Sequence, residues 1–170
     1  MTTPSVVGSR IIVMGPSASG KTTLARALAQ ALHARYLEGD ELHPAANVQK
    51  MRSGIALDDA DRAPWIDALG SALCRDAAQP VVATCSALKR RYRDRLGAIA
   101  GPLVFIHPRV SRKILSQRLA MRTGHYMPAS LLDSQLADLE PLAPDEPGFV
   151  IDGALGVDLQ VALVRSRLGL

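Results

Sequence analysis

Gly15-Pro16-Ser17-Ala18-Ser19-Gly20-Lys21-Thr22 stands between a short β-branched run and a leucine-striped segment, and that placement decides the fold class. The octet fits G-x-x-x-x-G-K-[ST], a phosphate-binding pattern that requires a strand in front and a helix behind. In front, Ser9 to Met14 is the apolar run expected of a parallel strand covered on both faces. Behind, Lys21 to Ala34 sets Leu24, Leu28 and Leu32 four apart with alanines between, a single apolar stripe for packing on a sheet. Small residues let backbone N–H groups turn inward around an anionic phosphate, and the helix N-terminus adds its dipole. Lys21 is then expected at the β- and γ-phosphates of a nucleotide, and the Thr22 hydroxyl on Mg²⁺. A coincidental glycine-rich turn is the competing reading, and the strand and helix flanks weigh against it.

Working outward, the chain alternates. Arg35 to Leu37 is a brief strand leading into Glu38-Gly39-Asp40, followed by a polar helical stretch with Asn47, Gln49 and Lys50 that Gly54 punctuates. The acids and Pro64 between Leu57 and Trp65 precede an apolar-periodic run through Leu69 to Leu73, which predicts a helix start. Pro80 to Thr84 reads as a second buried strand, Arg91 to Ile99 as helix and Pro102 to Ile106 as a further strand. Ser111 is an N-cap for a helix ending near Arg122. Gly148 to Asp152 is the last strand and Val157 to Leu168 a closing amphipathic helix. Five strands interleaved with helices imply one α/β domain over 1–170, with a parallel sheet covered on both faces. The stretch from Thr123 to Ser130 has no periodicity and is read as a mobile loop.

Composition limits the function classes. The chain has 170 residues, 48% hydrophobic and 21% charged, the balance of an ordinary globular domain. Aromatics at 4% argue against a base-stacking surface for single strands. The apolar runs are strand-sized, far short of the roughly 20 residues that span a bilayer, and the N-terminus is a polar lead into a strand, so the expected location is the cytoplasm with no membrane partner. The net charge of +4 gathers in Lys89 to Arg95 and Arg109 to Arg122. Solvated helix faces and an anionic substrate account for it, and no nucleic-acid partner is expected. Cys74 and Cys85 lack metal or redox spacing and are expected to be reduced thiols.

A phosphate loop says nucleotide without saying what happens to it. Asp40 follows the second strand, and the carboxyl ends of parallel strands open on one crevice, so its carboxylate is placed to take the proton of an attacking hydroxyl or to hold a metal through water. A turn or N-cap role for Asp40 is the alternative.

The stretches GDELHPAANVQKMRSGIALDDADRAPW (39–65), CSALKRRYRD (85–94), RTGHYM (122–127) and LLDSQLADLEP (131–141) resemble the gluconate kinases of the P-loop kinase superfamily, in register from about Ile11 to Pro141. The resemblance implies ATP-dependent 6-phosphorylation of D-gluconate by a homodimer on the three-layer, five-stranded core shared with shikimate and nucleoside-monophosphate kinases. It also implies an acceptor region at about 40–65 and a mobile lid at about 121–130. It puts Gly15, Pro16, Ser17, Ala18, Ser19, Gly20, Lys21 and Thr22, with Thr23 beside them, on the ATP phosphates, and Asp40 at the acceptor hydroxyl. His43, Lys50, Arg52 and Arg62 become acceptor-pocket residues. Beyond the third strand Cys85, Ser86 and Lys89 join them, with Arg93 one helical turn on; Lys89 or an arginine suits the gluconate carboxylate. Arg118 and Arg122, four apart and so on one helix face, become lid arginines that meet the transferring phosphoryl group, the alternative being a surface helix paired with Asp133 or Asp138. His125 is a lid residue that meets substrate only on closure. Trp65 is assigned to the core. Two rival functions stay open: another small-acceptor kinase, though Cys85-Ser86-Ala87 stands where shikimate kinases carry glycines, and a non-catalytic nucleotide switch.

Overall fold

In the computed structural model, which describes residues 9–75, 78–122 and 128–170, the expected alternation folds as strand β1 (Arg10–Val13), helix α1 (Lys21–Ala31), β2 (Arg35–Leu37), α2 (Ala45–Arg52), α3 (Asp59–Leu73), β3 (Val81–Thr84), α4 (Arg90–Ala100), β4 (Val104–Arg109), α5 (Arg112–Met121), α6 (Leu132–Asp138), β5 (Gly148–Asp152) and α7 (Val157–Leu168). The five strands form one parallel sheet in the order β2-β3-β1-β4-β5. β1 lies in the middle, Ile12 opposite Ala83 on one side and Phe105 on the other. Alternate side chains of a strand point to opposite faces, and the two cores divide accordingly. Ile12 and Met14 pack with Trp65, Ile66 and Leu69 of α3 and Leu96 of α4. Ile11 and Val13 pack with Leu24 and Leu28 of α1 and Val164 of α7. The run reads as apolar throughout because both of its faces are covered.

Three local features depart from expectation. α3 begins well before Pro64: the Asp58 carboxylate accepts from Asp61 N (2.8 Å) and Asp61 accepts from Asp58 N (3.0 Å), a reciprocal cap that satisfies two N–H groups at the helix start. Pro64 therefore sits inside the helix, where the lost backbone bond is offset by that cap and by fully buried Trp65, Ile66, Leu69 and Leu73. β4 runs on through His107 and Pro108 to Arg109 beyond its last β1 partner, Ile106; only β5 accompanies it there, which lets a proline stand in the strand. Helix α6 was not foreseen. The loop expected over 123–130 falls, for 123–127 and with it His125, outside the described residues.

No described helix is long and apolar enough to cross a membrane. Both cysteines are free. Cys74 is exposed, whereas Cys85 belongs to the core, where burial pushes its thiol up to about 12.

Candidate active site

The loop after β1 turns through Gly15 (φ 132°), Ala18 (φ 66°) and Gly20 (φ 89°), backbone that an L side chain rarely adopts. Gly15 carries a second constraint, since a Cβ there would stand 3.1 Å from the His107 ring. Lys21, first residue of α1, folds back to donate to Pro16 O (2.8 Å). Burial lowers its pKa, the Asp40 carboxylate opposes that shift, and Arg122 adds to it, so lysine, acid and arginine share one electrostatic neighbourhood. Ser19 Oγ is buried with no hydrogen-bond partner. An orphan hydroxyl costs about 1–3 kcal/mol, and its position inside the phosphate loop makes a phosphate oxygen its natural partner.

Glu38, at the end of β2, is a site residue that the sequence did not reveal. Its carboxylate accepts from the hydroxyls of Thr22 (2.9 Å), Tyr36 and Thr84. Burial pushes Glu38 up, yet these three bonds and the Lys21 charge more than offset it and hold the carboxyl below its usual range. The next residue must be glycine: a Cβ on Gly39 would lie 2.0 Å from Thr84 O, and Gly39 N donates to Thr84 Oγ1 (3.0 Å). This close approach draws the end of β2 against β3 and brings Glu38 under Thr22. The pair supplies two hard oxygen donors beside the phosphate loop. That suits Mg²⁺, which takes one or two protein oxygens and completes its shell with phosphate and water; no group of three or more His, Cys, Asp or Glu among the described residues forms an all-protein cage.

The loop opens on a cleft of about 760 Å³, part of it continuous with solvent. Lys21, Thr22, Asp40, His43, Arg62 and Trp65 line it. Ser86, Arg122, Ser134 and Gln135 line it as well. The His43 ring stacks on Trp65 (4.0 Å between centroids, 17° between planes), while Trp65 Nε1 donates to Gly39 O (2.8 Å). Trp65 is thus both core and cleft wall. Arg62 is buried, 6% exposed, with Nη1 on Tyr92 Oη (3.0 Å) and Asp138 Oδ2 (2.8 Å).

Not every expected residue reaches this cleft. Lys50 pairs with Asp61 (2.8 Å) and Arg52 is exposed; neither lines it. Lys89 does not line it either and stands between Asp59 (3.3 Å) and Asp138 (3.4 Å). Arg93, expected at the acceptor, is instead buried against Glu146 (2.5 Å) and donates to Ala87 O and Leu88 O, bracing the loop that carries Ser86. Its neighbour Cys85 turns into the core. Arg118 holds the nucleotide loop from α5, through Ala18 O (3.1 Å) and Gly153 O (3.3 Å), and with Thr23, Leu155 and Gln160 lines a second recess towards α7. Arg122 lines both hollows. Asp133 pairs with Arg112, and Asp138 with Arg62 and Lys89.

His43 and His107 are both lowered to about 4, by burial first and then by arginine charge, Arg62 for His43 and Arg109 for His107. A histidine that is harder to protonate when folded gives the unfolded chain the greater proton uptake between pH 6.5 and 4, so stability is full above that window and falls as pH drops through it. Melting temperature is expected to decline from pH 6.5 to 4, and less steeply in a His43→Gln/His107→Gln double variant. Parallel declines in the two proteins would assign the acid sensitivity to other groups.

A family model described as an AAA domain matches residues 11–142. The chain is 49% identical over 150 residues to a gluconokinase of Gluconobacter oxydans (strain 621H), covering 84% of this chain and 82% of that one. A crystal structure of a gluconokinase from Sinorhizobium meliloti 1021 superposes with a TM-score of 0.86 at 41% identity, over 96% of this chain and 93% of that one. An unliganded sugar kinase from Janibacter sp. HTCC2649 gives a TM-score of 0.90 at 39% identity, over 95% and 94% of the two chains.

Proposed function

Because the chain belongs to the gluconokinase family, we propose that it transfers the γ-phosphoryl group of ATP to the 6-hydroxyl of D-gluconate. The observation that carries this reading is that a phosphate-loop lysine, a carboxylate and a buried arginine line one cleft: Lys21, Asp40 and Arg62. The acceptor needs all three kinds of group. Arg62 offers a forked cation for the carboxylate of the sugar acid. At the other end of the acceptor, Asp40 takes the proton of the attacking hydroxyl as the new O–P bond forms and the bond to the β-phosphate oxygen breaks. Lys21 and the loop N–H groups stabilise the charge that builds on the phosphoryl oxygens. Ser86 and His43, the latter held neutral by burial and Arg62, are suited to hydrogen-bond the hydroxyls between.

Thr22 and Glu38 would hold Mg²⁺, which when bound neutralises charge on the β- and γ-phosphates. Arg122, at the C-terminal end of α5, lines both hollows; in this reading it is a lid arginine that meets the phosphoryl group on closure and helps exclude water. The family resemblance also supports a cytoplasmic homodimer, with neither nucleic acid nor membrane as partner.

The test is ADP release measured with and without gluconate. A kinase is strongly stimulated by its own acceptor and yields a product phosphorylated at the 6-hydroxyl. ADP release that gluconate leaves unchanged would rule the reading out and favour a nucleotide switch.

A further inference from the structure

Helix α6 touches both halves of the site. Its Gln135 Oε1 accepts from Ser17 N of the phosphate loop (2.7 Å), and its Leu132 packs on Ala18 of the same loop with Leu115 and Leu119 of α5. One turn further on, Asp138 Oδ2 accepts from Arg62 Nη1 (2.8 Å). Residues three apart lie on one helix face, so a single short rod joins the nucleotide loop to the cation of the acceptor end.

The hydrogen bonds around Arg62 fix its direction. Tyr92 Oη donates to Asp59, which leaves an oxygen lone pair to accept from Arg62 Nη1 (3.0 Å). With Asp138 on the other hydrogen, Nη1 is saturated. Nε and Nη2 form the side of the guanidinium that binds a carboxylate through two parallel bonds, and among the described residues no protein acceptor takes them. The residue is 6% exposed and lines the cleft, so this side is offered to an anion there.

We propose that Asp138 is a positioning residue for the acceptor. It holds Arg62 with its carboxylate-binding side toward the cleft, and α6, seated on the phosphate loop through Gln135 and Leu132, sets that anion site at a fixed separation from Lys21. The separation in turn selects which hydroxyl of an acyclic sugar acid meets the phosphoryl group. The inference rests on the reading of Arg62 as the gluconate carboxylate ligand.

Steady-state kinetics of Asp138→Asn test it. The asparagine keeps shape and one acceptor but removes the charge. Because a hydrogen bond to a charged group contributes about 1.5–3 kcal/mol, KM for gluconate is expected to rise about tenfold or more while KM for ATP stays within about twofold. In an Arg62→Met background the same substitution should change KM for gluconate less than about twofold, since a residue acting through Arg62 has nothing left to orient. Asp138 is 25% exposed, so the variant should fold. Should it not, Tyr92→Phe removes the other Nη1 acceptor and is expected to give the same split, with a smaller rise. Equal rises in both KM values, or effects of the two substitutions that multiply independently, would overturn the positioning role. A wild type that gluconate does not stimulate would overturn the parent reading and the proposal with it. A wild type that turns gluconate over beside an Asp138→Asn variant of unaltered KM overturns the positioning role alone.

Discussion

Asp40→Asn is expected to give a folded, ATP-binding protein whose gluconate turnover is lower by about 10²- to 10⁴-fold, the usual range for a lost general base. Asn keeps the size and much of the hydrogen bonding of Asp but lacks the basic lone pair and the charge. The turn carrying Asp40, Gly39–Leu42, has Glu38 as its N-cap, and α2 has Pro44; neither start shows a side-chain capping bond. A capping role therefore has no helix to serve, and even where one existed Asn would replace Asp at well under about 1 kcal/mol. What the structure does show for Asp40 is a place in the cleft wall and an attraction to Lys21. Loss of that charge also strengthens the tendency of the half-buried Lys21 to shed its proton, which lowers activity further near neutral pH. Single-turnover measurements at saturating ATP, with the Mg²⁺ dependence of ATP binding measured alongside, separate a base from a metal-holding acid. Retention of more than about a tenth of wild-type turnover would remove Asp40 from proton transfer.

Lys21→Ala should act almost as strongly on chemistry and far less on folding. Its ammonium donates to a single loop carbonyl, Pro16 O, so removal forfeits little native structure, and relieving the burial of a charge offsets part of that loss. In the transition state the same ammonium is expected on the phosphoryl oxygens, and loss of one such preorganised contact lowers turnover about 10²- to 10³-fold. Melting temperature within a few degrees of wild type, together with that loss, is the expected pair of results. Unchanged turnover in the folded variant would take Lys21 out of the mechanism.

Much of the architecture was legible because a parallel sheet covered on both faces writes itself as uninterrupted apolar runs. Val81 to Thr84 and Gly148 to Asp152 stand where their runs predict. β4 was read short because His107 and Pro108 end its apolar run, and nothing local tells that one edge of the strand is unpartnered there. The start of α3 is legible only to within Leu57 to Trp65, because an aspartate closes its cap where the usual signature has Glu or Gln.

The site divides along similar lines. The phosphate loop is local in sequence, and so it could be read; Glu38 could not, because only the Gly39–Thr84 approach brings it beneath Thr22. Arg93 lay one helical turn from Lys89 in a basic run, yet which arginine of α4 faces inward depends on Glu146, far along the chain. Gln135 and Asp138 belong to a seven-residue helix too short to show a periodicity, and their partners lie 118 and 76 residues away.

The stacking of Trp65 on His43 has an optical consequence. Trp65 is the one tryptophan of the chain, it is 1% exposed, and its indole N–H is tied to the carbonyl immediately before Asp40. All of the indole fluorescence of the protein therefore originates at the wall of the cleft beside the phosphate loop, so a change in emission reads the occupancy of that wall with no background from elsewhere in the fold.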